Sequence, residues 1–124
     1  MDFRDLMAYQ KAFDLSMEIF VLSKFFPPEE RYSLTDQVRR SSRSVCANIA
    51  EAYRKRRYTN HFISKLTDSD AENSETNVWI EFSLKCGYIS QEKYSDLYSR
   101  NIEVGKIINY MINNPEKFGC APKV

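Results

Sequence analysis

Cations are the side chains of this sequence best suited to chemistry. Arg39, Arg43, Arg54, Lys55, Arg56, Arg57 and Lys65 fall in one stretch, and residues 31–65 carry nine Lys or Arg against only Asp36 and Glu51, a local charge of +7. Guanidinium and ammonium groups at this density suit phosphate. Each phosphate they neutralise releases counterions, and a planar guanidinium grips paired oxygens in a fork. Tyr53 and Tyr58 lie among the cations and offer rings on which unpaired bases could stack. A solvated helix end, complementing the negative end of a helix dipole, accounts for the same residues without a ligand. No base-reading motif accompanies them, so any contact with RNA or DNA is expected to run through phosphates and to be weakly sequence-specific.

Other chemistries fare worse. His61 is the single histidine, which removes His-based metal sites and two-histidine acid–base schemes. Its basic, polar setting reads as a solvated ring or a phosphate contact. Cys46, Cys86 and Cys120 are odd in number and widely spaced, suited neither to a disulfide framework nor to a zinc cluster. Asp68, Asp70, Glu72 and Glu75 spread around a helix and read as a solvated face. Three glycines in the whole chain leave no phosphate-cradling loop. The expectation is a protein with no catalytic residue, no metal and no cofactor. No apolar run reaches about 18 residues and no signal-peptide pattern opens the chain, so no membrane role and a cytoplasmic location are expected.

The spacing of the chain supplies a frame for the cations. At about 100° per residue, residues 33–57 sort into three faces of an α-helix. Leu34, Val38, Ser41, Val45, Ile49 and Ala52 make a narrow apolar stripe. Beside it run Gln37, Arg40, Ser44, Asn48 and Glu51, an unbroken polar stripe expected to hydrogen-bond to the following helix and fix which helices are neighbours, with the lining of a ligand site as the alternative. Opposite the apolar stripe lie Arg39, Arg43, Arg54 and Arg57, with the small Ala47 and Ala50 between the pairs.

The same periodicity predicts helices at about 4–25, 33–56, 59–86 and 90–114, in one domain over 1–114 with a flexible tail over 115–124. Pro27 and Pro28 end the first helix. Ser33 reads as the N-cap of the second, Thr59 as that of the third, Gly87 as the stop of the third, and Ser90 as the start of the fourth. The first helix has two apolar stripes, one of Leu6, Tyr9, Phe13, Met17 and Phe20, the other of Ala8, Ala12, Leu15, Ile19 and Leu22. Either the core face is broad or one stripe meets another subunit. The third helix presents Phe62, Leu66, Ser69, Asn73, Ile80 and Leu84, apolar at both ends and polar between. Four long helices with short connections make an all-α protein, an up-down-up-down antiparallel four-helix bundle. Residues 66–103 carry eight acids against Lys85, Lys93 and Arg100, a local −5 that complements the basic stretch.

Gln37-Val38-Arg39-Arg40, then Ser44, then Asn48-Ile49-Ala50-Glu51, resembles the helical signature of proteins encoded by intervening sequences of bacterial 23S ribosomal RNA genes. That four-helix family includes the accessory variability proteins of diversity-generating retroelements. Phe3-Arg4-Asp5-Leu6 with Gln10-Lys11-Ala12, Phe26 to Glu30, and Gly87-Tyr88-Ile89 extend the likeness over roughly residues 3–113. The resemblance implies a homopentamer and, from the retroelement members, binding to nucleic acid and to a reverse transcriptase. The expected function is therefore that of a non-catalytic nucleic-acid-binding accessory protein, a homo-oligomeric ring with a basic face. The alternative is a protein-binding scaffold with no nucleic-acid role, using Trp79, Phe82 and the Ala47/Ala50 surface.

Overall fold

The computed structural model describes residues 1–121. Four α-helices form the body: α1 (Met7–Ser23), α2 (Leu34–Arg54), α3 (Thr59–Lys85) and α4 (Gln91–Asn113). Short 3-10 turns stand at Phe3–Asp5, Pro28–Glu30 and Pro115–Phe118. Each helix packs on its chain neighbours and α1 closes against α4, the arrangement of an up-down-up-down four-helix bundle. The α2 apolar stripe is the spine of the core, with Leu34, Val38, Ser41, Val45, Ile49 and Ala52 all buried.

The core falls into two apolar halves. One gathers residues such as Val45, Ile49, Phe62, Leu66, Val104, Ile108 and Met111; the other gathers Leu15, Ile19, Val38, Ile80 and Leu97. A polar waist lies between them. The Ser41 and Thr76 hydroxyls are 2.8 Å apart, and Ser69 donates to the Val45 carbonyl at 2.9 Å. Asn73 donates to the Asn101 carbonyl and the Asn101 amide returns a bond to Asn73 Oδ1, each at 3.0 Å. Gly105 makes room for this pair, since a Cβ there would stand 3.1 Å from Asn73 Nδ2. The polar centre of α3 is thus answered by α4 and by the apolar stripe of α2. The polar stripe of α2, the expected partner, does not take part.

Several boundaries differ from expectation for local reasons. The first helix does not run from residue 4. Asp2 accepts from the Arg4 N–H while Asp5 accepts from the Asp2 N–H, a reciprocal cap that closes a separate 3-10 turn. Leu6 is then extended and buried before α1 begins. Ser33 does not cap α2 with its hydroxyl, which donates to the Glu30 carboxylate; that carboxylate also accepts from the Leu34 N–H. The Ser33 bond and a second from the Tyr88 hydroxyl hold the Glu30 carboxyl below its usual pKa. Thr59 is the first residue of α3, and its hydroxyl donates to the Ala121 carbonyl instead of capping. Two signals act as expected. Ser90 caps α4 through the Lys93 N–H, and Gly87 at φ +79° lets the Tyr88 N–H return to the Ser83 carbonyl at the end of α3.

The segment after Pro115 is not a loose tail through residue 121. Phe118 packs against the core, Cys120 is buried, and the Phe118 carbonyl accepts from Arg56 at 3.1 Å. Apolar side chains at 118 and 120 give this turn something to bury, a benefit that a reading of its Pro and Gly residues overlooks. The remainder of the expected flexible tail, residues 122–124, lies outside the described residues.

Candidate nucleic-acid interface

The seven candidate cations divide by what holds them. Arg39 serves α1: its Nε donates to Ser23 Oγ at 2.7 Å, and its guanidinium lies 4.8 Å from the centre of the Phe20 ring. It thereby supplies positive charge at the C-terminal end of α1, where the dipole favours it. Lys65 is paired with Glu51 at 3.0 Å, a hydrogen bond that raises the lysine's pKa. Arg56 lies over Tyr53, 3.5 Å from the ring centre, with Nε donating to the Tyr53 carbonyl at 2.7 Å and one terminal nitrogen to the Phe118 carbonyl. Arg43 is exposed and leans on Phe20. Arg54, Lys55 and Arg57 are exposed, and among the described residues no carboxylate pairs with them.

Five of the seven line two depressions, and Lys55 and Lys65 line neither. Arg54, Arg56 and Arg57 meet Arg4 and the rest of the N-terminal turn around a cleft of about 570 Å³. Arg39, Arg40 and Arg43 meet Arg31 around a shallower groove of about 680 Å³. Arg4 and Arg31 were missed from the sequence. Arg31 sits in the loop before α2, within the basic stretch, and could have been included on charge alone. Arg4 had no such signal, because only tertiary packing brings residues 2–4 beside the end of α2.

Tyr53 cannot offer a ring for stacking as expected. It is 6% exposed and Arg56 covers it. Tyr58 is exposed, with Arg57 over its ring and the exposed His61 ring 5.3 Å away.

The polar stripe of α2 splits in two. Arg40 pairs with Glu72 at 3.0 Å and also with Glu75, while Glu51 reaches Lys65; these ends do tie α2 to α3. Gln37 accepts from Arg40 within the helix. Asn48 also bonds within α2, donating to the Ser44 carbonyl at 3.0 Å and to Ser44 Oγ at 3.1 Å. The short Asn and Ser side chains satisfy each other one turn apart before they can reach α3.

Along α1 the Ala8, Ala12, Leu15 and Ile19 stripe is buried. Phe13 and Met17 of the other stripe are about half exposed and wall an apolar groove of about 410 Å³ with Phe20, Ala47 and Ala50. Phe82 is also about half exposed, while Trp79 is partly buried and donates its indole N–H to Glu75 at 3.3 Å. Cys46 is buried, which pushes its thiol to a pKa of about 11 and leaves little thiolate at neutral pH. Among the described residues no three His, Cys, Asp or Glu side chains group as metal ligands, and no helix is long and apolar enough to cross a membrane.

The family model of the 23S rRNA-intervening sequence protein matches residues 4–110. No curated protein matches the chain. Among solved structures, the chain is similar to a protein of unknown function from the S23 ribosomal protein family of Bacteroides thetaiotaomicron. The two are 29% identical with a TM-score of 0.79, and the match covers 89% of this chain and 98% of that one.

Proposed function

This chain belongs to the 23S rRNA-intervening sequence protein family, and from that premise we propose that it is a non-catalytic accessory protein that holds RNA or DNA by its phosphates. The observation that carries the reading is the division of charge on α2. Arg40 and Glu51 are paired with α3, whereas Arg54, Lys55 and Arg57 at the helix end stand exposed with no described carboxylate on them. Concentrating unneutralised cations in one place costs self-repulsion, which a polyanion offsets. Their neighbours Arg4 and Arg56 enlarge the same positive surface.

In the same reading the protein is a homo-oligomeric ring, pentameric as the resemblance implies, that repeats this surface around an axis. The contact between copies is the apolar groove walled by Phe13 and Met17, occupied by the exposed Val78 and Phe82 of a second copy. Arg43 lines the groove and Glu81 lies exposed beside Phe82, so the two faces are complementary in charge as well as apolar. Joining different faces in this head-to-tail way generates a ring when the rotation closes. Repetition raises the effective concentration of the basic surface without any new contact.

The test is binding of a labelled single strand across a salt series. Changing Arg54, Lys55 and Arg57 together to Gln should flatten the log–log salt slope by about 2, from about 0.7 per phosphate contact. An equal change for Lys24, Lys85 and Lys106 to Gln would mean bulk charge and not this face. No binding at low salt would leave the scaffold reading, in which the Phe13 and Phe82 surfaces contact another protein. Light scattering at high protein concentration tests the ring, and a single species at 14.6 kDa would remove it.

A further inference from the structure

We propose that the cleft between the N-terminal turn and the end of α2 is a seat for one unpaired nucleotide, so that the protein selects single-stranded over double-stranded nucleic acid. The inference rests on the phosphate-binding reading and assigns it a ligand form. Its first support is the fixing of Arg56. The guanidinium carbon lies 3.5 Å from the centre of the Tyr53 ring, and its nitrogens donate at two places, to the carbonyls of Tyr53 and Phe118. A guanidinium held this way lines the cleft as a rigid, cationic plane. Arginine planes, like aromatic rings, accept a nucleobase by stacking. No side-chain entropy remains to be lost when the base arrives, because Tyr53 and Phe118 have already ordered the platform.

The second support is another part of the lining. Arg4 lies over the Phe3 ring at 4.5 Å, so a second guanidinium–aromatic stack borders the same cleft. Asp2 bonds to Arg4 at 2.8 Å and orients it, while Arg54 and Arg57 on the cleft edge remain exposed for phosphate oxygens. The volume of about 570 Å³ lies within the range of small-ligand sites, roughly 300–1,000 Å³. A duplex presents only its backbone to such a cleft, since a paired base must first leave its stack to enter. Extended cationic surface alone would bind both forms.

The experiment compares fluorescence anisotropy of a labelled oligothymidine of about 12 nucleotides with that of the matching duplex, at low salt. Wild type should hold the single strand roughly tenfold more tightly than the duplex, the worth of about one stacked base. Arg56→Lys keeps the charge and removes the plane, and should erase most of that preference while duplex affinity stays within about twofold. Because Arg56 also holds Phe118, Arg4→Gln serves as a second variant at an exposed site outside the core. It should weaken single-strand binding more than Lys106→Gln does, with an unchanged melting temperature. Equal affinity of wild type for both forms, or equal losses on both, would overturn the nucleotide seat and leave the phosphate reading standing. Binding to neither form would remove both.

Discussion

The α3 seam of helix α2 and its C-terminal end make an instructive contrast. Toward α3, Arg40 and Glu51 each find an opposite charge, on Glu72 and Glu75 and on Lys65. At the C-terminal end, Arg54, Lys55 and Arg57 find none among the described residues. Arginine stands in both places, Arg40 on the seam and Arg54 and Arg57 at the end. What separates them is the neighbour: the seam faces acidic α3, while the end faces the N-terminal turn, which brings Arg4 as well as Asp2. A charge at the seam orders helices. A charge at the end has no carboxylate partner among the described residues, and stability measurements should register that difference.

The largest effect belongs to the waist that the seam protects. Asn101→Leu should destabilise the bundle by about 1–3 kcal/mol, because it strands buried Asn73 Oδ1 without a donor. Urea denaturation checks this, and a stability equal to wild type would mean that water replaces the lost bond. A smaller effect is expected at Asn48→Leu. Had Asn48 bonded to α3, the substitution would have orphaned groups there. Its partners are in fact Ser44 of its own helix, which keeps its backbone bond and a partly exposed hydroxyl. A change within about 0.5 kcal/mol is therefore predicted, and a loss comparable to that of Asn101→Leu would restore the cross-helix reading. The smallest effect belongs to the exposed end. Arg54, Lys55 and Arg57 changed together to Gln should leave the melting temperature at or slightly above wild type, since relief of repulsion opposes any loss of packing. A drop of several degrees in calorimetry would mean that these cations support the fold, which would weaken the case that they serve a ligand.

Much of this architecture was legible beforehand, and particular residues explain why. The stripe from Leu34 to Ala52 recurs at threes and fours, and a helix must bury such a stripe whatever surrounds it. Gly87 and Ser90 act as punctuation through their own backbone and hydroxyl, so they too read locally. Ser33 and Thr59 failed as caps because other acceptors competed: Glu30, three residues earlier, took one hydroxyl and the distant Ala121 the other. The two apolar stripes of α1 could not be ranked from spacing. Helical periodicity marks both as apolar but does not say which one another helix will cover. In the fold Ala8, Ala12, Leu15 and Ile19 turn inward.

The candidate site divides along the same line. The sequence by itself determined that this is an all-α bundle and that its positive charge is concentrated on α2, because hydrophobic period and local charge are properties of neighbouring residues. Only the tertiary structure decided which cations are engaged. Arg39 is bound to α1, Arg56 to Tyr53 and Phe118, and Lys65 to Glu51, while Arg54, Lys55 and Arg57 are left exposed, Arg54 and Arg57 beside Arg4. Apart from Arg56 on Tyr53, those assignments depend on contacts between different elements of the fold. A long side chain reaches several possible partners, and which of them lies within hydrogen-bonding distance is set by how the helices pack and not by the order of residues along them.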